Sequence, residues 1–450
     1  MFTKILIANR GEIAVRIIRT CRDMGIISVA VYSEADAASL HVQIADEAVC
    51  IGGAHARDSY LDMDKVISAA LATGAEAIHP GFGFLSENSE FAKKCEEYEI
   101  MFIGPGYSSM EQMGDKIQAR KMATEANVPI TPGSAGAVKS AKEALEIAEK
   151  IGYPLMIKAS AGGGGRGIRR VESPDTLADL FLAAKNEAAA CFGDDRVYVE
   201  KCISNPRHIE VQILADANGG AVHLYDRDCT VQRRHQKILE EAPSSYINDE
   251  VRERMGECAV RIARACGYVN AGTVEFLADG DRNFYFCEMN TRIQVEHAIT
   301  EAIIGIDLIE WQIRIASGES LAFAQEDIKI QGCAMECRIN AEDSSRGFAP
   351  SPGTILEMHQ PGGIGVRVDS GVYQGYTIPP FYDSMIAKLI VCGESREQCI
   401  IRMKRAVTEY LFYGIKTNID FHIAVLSSEE FRHGEYGTDF CEELLGDYIE

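Results

Sequence analysis

The sequence lacks the features that mark nucleic-acid-binding, membrane-spanning and disulfide-rich or zinc-binding proteins. Its 45 Lys and Arg residues against 67 Asp and Glu give a net charge of −22, so it lacks the positive charge that nucleic acids and anionic membranes attract. No apolar run is long enough to span a bilayer. Its 14 cysteines include no CxxC pair, which disfavours a zinc site or a disulfide framework. We therefore expect a cytoplasmic protein with reduced thiols that binds neither nucleic acid nor membrane.

The chain has 450 residues, enough for about three domains. Strands predicted over 4–9 and 27–33 flank a helix over 11–25, and the alternation continues to 101–105. This pattern predicts a parallel, doubly wound α/β layer. Because the first turn lacks the GxGxxG glycines, a nicotinamide-dependent oxidoreductase would have to bind ribose through Glu34 or Asp36, and we disfavour it.

From about residue 115 the pattern changes to helices mixed with hairpins. An amphipathic helix is predicted over 140–152, with strands over 154–159, 168–171, 197–203 and 208–216. A last region begins near residue 330 and ends in a pair of helices. We expect α+β structure in this part of the chain.

Residues 273–290 predict a β-hairpin whose loop is 280–283. Folding about that loop places Glu275 opposite Glu288 and Thr273 opposite Asn290, and opposed carboxylates need a cation between them. Carboxylate and amide oxygens suit Mg²⁺ or Mn²⁺. The alternative is that the register is off by one, or that both acids face water.

The segment CEMNTRIQVEH, 287–297, is unusually rich in polar side chains. If it stayed extended, Glu288 and Glu296 would lie about 26 Å apart, which is too far for one small site. We therefore predict that the strand ends near Asn290 and that 291–297 curl around a second substrate.

Two further stretches point to anion binding. SAGGGGRG, 160–167, lies between two predicted strands, and its backbone can approach phosphate oxygens, with Lys158 supplying charge. It is not a Walker P-loop, because G-x-x-x-x-G-K-[ST] is absent. QRRHQK, 232–237, concentrates positive charge in an acidic chain, although a solvated patch is the alternative. Cys229 lies beside it, and we interpret this thiol as structural.

Taken together, these motifs resemble the biotin carboxylase family, the ATP-grasp component of acetyl-CoA, pyruvate and propionyl-CoA carboxylases. The resemblance spans nearly the whole chain and rests on KILIANRGEIAVRIIR, HPGFGFLSEN, MGDKIQAR, IKASAGGGGRGIR, NPRHIEVQ, RDCTVQRRHQK, EMNTRIQVEH, ECRINAED, PSPG and YDSMIAKLI. It implies an N-terminal Rossmann-like α/β domain over 1–114, an ATP-grasp domain over 115–330 with a mobile lid at about 131–203, and a C-terminal domain over 331–446.

The resemblance also implies roles for individual residues. The implied ATP contacts are Lys116, Lys158, Gly162, Gly163, Gly164, Gly165, Glu200, Lys201, Ile203, His208, Gln232 and Leu277. The implied metal ligands are Glu275, Glu288 and Asn290, and the implied bicarbonate pocket is Lys237, Arg292, Gln294 and Val295. Glu296 is the implied catalytic base, and Arg338, Arg292 and Lys237 are the other implied catalytic groups. The implied biotin contacts are Arg338, Phe82 and Gly83.

The implied activity is ATP-dependent carboxylation of biotin by bicarbonate through carboxyphosphate, with Mg²⁺ or Mn²⁺. We expect it to serve acetyl-CoA carboxylase in fatty acid synthesis, with pyruvate or propionyl-CoA carboxylase as the alternative. No Ala-Met-Lys-Met biotinylation motif occurs, so we expect biotin on a separate carrier protein, together with carboxyltransferase subunits and a homodimer. Rival interpretations are another ATP-grasp ligase that makes an acyl phosphate, and a catalytically silent regulatory subunit.

Three positions depart from the family pattern. Ala298 stands where many members have proline, Ala161 replaces the usual first flap glycine, and Phe82 replaces a common tyrosine. A looser turn around Glu296 is the expected effect of Ala298. Since none of the three removes a charged group, we expect activity.

Overall fold

A computed structural model describes residues 1–161 and 167–449. The first part of the chain contains strands β1 Lys4–Ile7, β2 Ile27–Ser33, β3 Glu47–Gly52, β4 Ala77–His79 and β5 Met101–Phe102, and helices α1 Gly11–Asp23, α2 Leu40–Ile44, α3 Met63–Thr73, α4 Ser89–Glu97, α5 Tyr107–Gly114 and α6 Lys116–Glu125. Its strands pair in parallel in the order β3-β2-β1-β4-β5. The predicted parallel α/β layer is confirmed.

Strand β1 shows why this layer is covered on both faces. Ile5 and Ile7 pack in one hydrophobic core with residues of α1, whereas Leu6 lies in a second core with residues of α3. Alternate side chains of a strand point to opposite faces, so an unbroken apolar run requires helices on both sides. The strand ends at Ile7 rather than at residue 9, because the Asn9 side chain turns to donate to the carbonyls of Pro80 and Phe82, each at 2.7 Å.

The central part contains helices α7 Ala141–Ile151, α8 Pro174–Phe192, α9 Asp249–Ala265, α10 His297–Ile304 and α11 Leu308–Ala316, and strands β6 Leu155–Ala159, β7 Ile168–Val171, β8 Val197–Lys201, β9 Arg207–Ala215, β10 Ala221–Arg233, β11 Gln236–Ala242, β12 Asn270–Ala278 and β13 Phe284–Asn290. Strands β7-β6-β8 form a small antiparallel sheet that packs against α7 and α8 in its own core. Helix α7 matches the helix predicted over 140–152 and ends at Gly152, whose φ is +73°.

The last part contains strands β14 Cys333–Asn340, β15 Glu342–Asp343, β16 Ala349–Pro350, β17 Gly353–Thr354, β18 Glu357–His359, β19 Val366–Ser370, β20 Thr377–Ile378, β21 Met385–Gly393 and β22 Leu411–Tyr413, and helices α12 Arg396–Glu409, α13 Ile419–Ser427, α14 Glu429–His433 and α15 Phe440–Ile449. The main sheet runs β13-β12-β9-β10-β11-β14-β21-β19. It therefore continues across the boundary expected at 330/331, since β11 pairs with β14.

Among the described residues, no helix is both long enough and apolar enough to cross a bilayer.

Candidate active site

A cleft of about 1260 Å³ opens where the main sheet, the small sheet and the α/β layer meet. Most of the described residues singled out from the sequence line it: Phe82, Gly83, Lys116, Lys158, Glu200, Lys201, Ile203, His208, Gln232, Lys237, Glu275, Leu277, Glu288, Asn290, Arg292, Gln294, Val295 and Arg338. Glu296 does not line the cleft directly, because its side chain is fully buried. Gly162 to Gly165, the expected phosphate flap, lie outside the described residues.

The β12–β13 hairpin has the predicted register at its acidic residues. Glu275 pairs with Glu288 and Thr273 with Asn290, as predicted. Nearer the loop the register is shifted by one residue, with Ala278 opposite Phe284, and a β-bulge between Glu275 and Phe276 restores the predicted pairing of the acids. Strand β13 ends at Asn290, as the length limit predicted, and the chain then turns until α10 begins at His297. This turn brings Glu296 back beneath the sheet.

The Glu296 carboxylate is held between two cations. Its Oε1 accepts a 2.7 Å hydrogen bond from Lys237 Nζ, and its Oε2 accepts one of 2.8 Å from Arg338. Burial raises the pKa of such a carboxyl, but Lys237, Arg338 and Arg227 outweigh it and hold the pKa of Glu296 well below its usual range. Glu296 is therefore ionised in the folded protein.

Lys237 is shared among several acids. Besides Glu296, its ammonium donates to Glu210 at 2.5 Å and to Glu275 at 3.0 Å. Burial opposes its charge, yet the surrounding acids raise the pKa of Lys237 well above its ordinary value. Among the described residues, His208, Glu210 and Glu275 bring ligand atoms within 4.8 Å of one another, and Lys237 supplies positive charge to that group.

Sequence reasoning missed the buried pair beneath this group. Arg227 is fully buried and donates to Glu210 at 2.6 Å, to Gln212 at 2.8 Å and to Thr300 at 2.9 Å. An unpaired buried charge is costly, so Arg227 and Glu210 fix each other and thereby Lys237. The motif RDCTVQRRHQK contains Arg227, but its partner lies 17 residues earlier, on β9.

Arg338 donates hydrogen bonds to two carboxylates. It donates to Glu296 at 2.8 Å and to Glu240 at 2.6 Å. Glu240 lies opposite Glu336 in the register of β11 and β14, and both acids are fully buried. Burial raises the pKa of Glu240 to about 7 and that of Glu336 well above its usual range.

The oxygen donors expected to hold a divalent metal lie on the hairpin. Glu275 accepts from Asn290 at 2.8 Å and from Gln294 at 3.2 Å, and Glu288 accepts from Lys116 at 2.5 Å. These are hard oxygen ligands, and protein cations and amides neutralise their charge. The donor set fits Mg²⁺ or Mn²⁺.

Cations and the histidines His208 and His235 line the rest of the cleft. Lys158 forms an ion pair with Glu200, which also accepts from Arg120 at 2.7 Å. Lys201 donates to the Tyr153 carbonyl at 2.8 Å. His208 lies 3.1 Å from Glu275; burial disfavours its charge, but the carboxylate outweighs burial and raises its pKa.

Arg292 is oriented by a residue that sequence reasoning also missed. Glu87, which precedes helix α4, accepts from Arg292 Nε at 2.8 Å and from the Thr291 N–H at 3.2 Å. Arg292 also donates to Gln294 at 2.7 Å and to Asn290 at 3.0 Å. Glu87 lies within HPGFGFLSEN, 205 residues before Arg292, so the sequence alone gave no reason to pair them.

Three other residues singled out from the sequence are Cys229, Asp36 and Ala298, and the Cys229 thiol reaches the charged group, since its Sγ donates to Glu296 Oε1 at 3.7 Å. Cys229 is buried, and burial raises its pKa well above the ordinary value, as expected of a structural thiol. Asp36 is buried: its Oδ2 accepts from Arg10 and Tyr60, each at 2.6 Å, and its Oδ1 accepts from Arg10 at 2.8 Å and from Ser39 at 2.9 Å, so both oxygens are engaged within the protein. Ala298 is fully buried in the first turn of α10, and its effect on the turn stays a prediction.

Comparison with known proteins identifies three family models along the chain. The biotin carboxylase N-terminal domain matches residues 1–110, the ATP-binding domain of the carbamoyl-phosphate synthase L chain matches 115–324, and the biotin carboxylase C-terminal domain matches 336–443.

Close relatives match over almost the full length. Biotin carboxylase 1 of Bacillus subtilis is 54% identical and covers 98% of each chain, and a pyruvate carboxylase subunit of Methanothermobacter thermautotrophicus is 56% identical over 98% of this chain and 90% of its own. A Campylobacter jejuni biotin carboxylase solved as a complex with β,γ-ATP superposes with a TM-score of 0.96, at 47% identity, over 98% of this chain and 99% of the other. The chain belongs to the biotin carboxylase family of ATP-dependent ligases.

Proposed function

We propose that this chain catalyses the first half-reaction of acetyl-CoA carboxylase, in which bicarbonate and ATP carboxylate biotin on a separate carrier protein. The observation that carries the proposal is the Glu296 carboxylate, buried between Lys237 and Arg338 beside a cleft lined by cations. Pyruvate and propionyl-CoA carboxylases share this half-reaction and remain the alternative, since a pyruvate carboxylase subunit is among the relatives.

The first step is deprotonation of bicarbonate by Glu296. Bicarbonate is a poor nucleophile until its proton is removed, and a general base must lie within hydrogen-bond reach of that proton. Lys237 and Arg338 keep Glu296 ionised but weakly basic. Anionic substrates compete for the same two cations, so substrate entry releases the carboxylate and raises its basicity at the moment when a base is needed.

The deprotonated bicarbonate oxygen then attacks the γ-phosphorus of ATP. The P–O bond to ADP breaks, and carboxyphosphate forms. Lys237 and Arg292 stabilise the charge that develops on the phosphoryl oxygens, since electrostatic stabilisation dominates phosphoryl transfer. Glu275, Glu288 and Asn290 would hold Mg²⁺ or Mn²⁺, which when bound neutralises phosphate charge.

Carboxyphosphate breaks into CO₂ and phosphate within the cleft. Phosphate takes the proton from the biotin ureido nitrogen, and the nitrogen attacks CO₂ to give carboxybiotin. Arg338 stabilises the enolate-like ureido oxygen, and Phe82 and Gly83 contact biotin. Glu240 supports this role, because it holds Arg338 at the edge of the cleft with a 2.6 Å hydrogen bond.

The remaining features extend this proposal to the assembly. The chain works as a homodimer in the cytoplasm, beside a biotin carboxyl carrier protein and carboxyltransferase subunits. A relative from Hydrogenobacter thermophilus, the biotin carboxylase domain of 2-oxoglutarate carboxylase, was solved as a dimer with MgADP and bicarbonate; it is 49% identical, with a TM-score of 0.95 over 99% of each chain. We propose the domain division 1–114, 115–330 and 331–446, with the lid at about 131–203.

Phosphate release from ATP by the purified chain tests the proposal. With Mg²⁺ present, hydrolysis should require bicarbonate and should rise when free biotin is added. Hydrolysis indifferent to both would indicate a different ATP-grasp acceptor. ATP binding without any turnover would indicate a regulatory subunit.

A further inference from the structure

Lys388 makes a contact that the half-reaction above does not use. It lies on β21, directly opposite Arg338 of β14, and its side chain is fully buried. Its Nζ donates a 2.7 Å hydrogen bond to the main-chain carbonyl of Val295. A buried ammonium is costly unless it is paired and hydrogen-bonded, so this placement needs an explanation.

The compensating charge comes from another part of the chain. Glu12, near the start of α1, lies 3.3 Å from Lys388 Nζ, and 2% of its side chain is exposed. That ion pair is longer than the hydrogen bond to Val295. Burial opposes the charge on Lys388, but Glu12, Glu336 and Asp369 outweigh it and raise its pKa. Glu12 and Asp369 supply negative charge to the ammonium, and the Val295 carbonyl accepts its hydrogen bond at 2.7 Å.

The position of Val295 makes this contact relevant to the chemistry. Its carbonyl belongs to the same planar peptide unit as the N–H of Glu296, so fixing one fixes the other. The preceding carbonyl, of Gln294, is held by His297 Nδ1 at 2.8 Å. Hydrogen bonds therefore hold the turn that carries Glu296 at two successive main-chain carbonyls, those of Gln294 and Val295.

We propose that Lys388 is a positioning residue for bicarbonate deprotonation, which holds the Val295–Glu296 peptide so that the Glu296 carboxylate meets bicarbonate in the reactive orientation. This inference rests on the proposed function. A hydrogen bond from a charged donor is stronger and more directional than one from a neutral donor, which suits the task of fixing a turn. Glu12 supplies only the counter-charge.

The test compares Lys388→Met, Glu12→Gln and the double variant by steady-state kinetics and thermal unfolding. Lys388→Met keeps the length of the side chain and removes the hydrogen bond. We expect kcat/KM for bicarbonate to fall by about tenfold to a hundredfold, while the KM for ATP stays within about twofold of wild type. Glu12→Gln keeps the hydrogen bond and should retain the wild-type KM for bicarbonate.

The double variant separates positioning from stability, and it carries the test if Lys388→Met folds poorly. Removing both charges should recover the unfolding temperature but leave kcat/KM for bicarbonate low. Recovery of both the unfolding temperature and kcat/KM would overturn the proposal. A rise in the KM for ATP as large as the fall in kcat/KM for bicarbonate would also overturn it. If wild-type hydrolysis does not depend on bicarbonate, the proposed function itself fails, and this inference fails with it; a bicarbonate-dependent wild type with an unaffected Lys388→Met variant overturns the inference alone.

Discussion

Glu296 Oε1 lies 2.7 Å from Lys237 Nζ, and the carboxylate is fully buried whereas 13% of the lysine side chain is exposed. The lysine therefore stands between the carboxylate and the open cleft. In the proposed reaction, an anion that enters would meet the ammonium first and draw it away from Glu296. We infer that this contact keeps the proposed base ionised before the substrate arrives and frees it afterwards.

Glu296→Gln should abolish bicarbonate-dependent ATP hydrolysis while leaving nucleotide binding near wild type. The amide is close in shape but cannot accept the proton, and general-base catalysis contributes about 10²- to 10⁴-fold. Phosphate release and ATP binding measured on one preparation would separate the two effects. Glu310→Gln, on the half-exposed face of α11, is the matched control and should retain full activity. A Glu296→Gln variant with unimpaired turnover would remove Glu296 from the role of base.

Glu288→Gln should increase the Mg²⁺ concentration needed for half-maximal ATP hydrolysis by at least about tenfold. The substitution removes one anionic oxygen ligand and leaves Lys116 without its 2.5 Å partner. A Mg²⁺ titration at saturating ATP measures the shift. The same titration on Glu172→Gln, an exposed glutamate paired with Arg170, controls for general loss of negative charge. An unchanged midpoint for Glu288→Gln would exclude this carboxylate as a ligand.

Glu200→Gln should destabilise the fold by about 3–5 kcal/mol, the usual result of removing one partner of a buried ion pair. Glu200 accepts hydrogen bonds from Arg120 at 2.7 Å and from Thr131 at 2.8 Å, and it pairs with Lys158. The variant leaves two buried cations without an anion. Denaturant unfolding followed by circular dichroism measures the change. A midpoint equal to that of wild type would show that these cations find another partner.

Glu336→Gln should make stability less dependent on pH. Burial raises the pKa of this carboxyl well above 4.5, so the folded protein keeps a proton that the unfolded chain loses. The stabilisation from this group is complete below the unfolded pKa and is lost as pH rises through the folded pKa. An amide is neutral at every pH and escapes that loss.

The measurement is the difference in unfolding temperature between Glu336→Gln and wild type from about pH 6 to about pH 9, which should grow in favour of the variant. Glu257→Gln, on the exposed side of α9, should show a constant difference over the same range. A flat difference for Glu336→Gln would mean that Glu336 is ionised in the folded protein.

The local patterns of the sequence predicted much of the fold. The pairing of Glu275 with Glu288 was predicted from the loop and a two-residue period, although the β-bulge beside Glu275 was not, and the end of β13 at Asn290 was predicted from chain length. Both depend on residues close in sequence. The identities of the charged cleft residues came from the family resemblance rather than from such patterns.

What the sequence did not predict are contacts between distant residues. Glu87 with Arg292, Glu210 with Arg227, and Lys388 with Val295 join parts of the chain that only the tertiary fold brings together. A charged side chain in a strand is normally solvated, so the pattern favoured surface positions for residues that the structure buries. The partners that allow these charged side chains to be buried lie on other helices, strands and loops of the chain.

The most direct test of the central claim traces an oxygen atom from bicarbonate into the released phosphate. ATP hydrolysis by the purified chain in ¹⁸O-labelled bicarbonate should place one bicarbonate oxygen in the released phosphate, because attack on the γ-phosphorus joins that oxygen to phosphorus before carboxyphosphate breaks. Mass spectrometry of the phosphate would detect it. Labelled phosphate is the predicted result; unlabelled phosphate, whose added oxygen comes from water and whose other three come from ATP, would contradict the account.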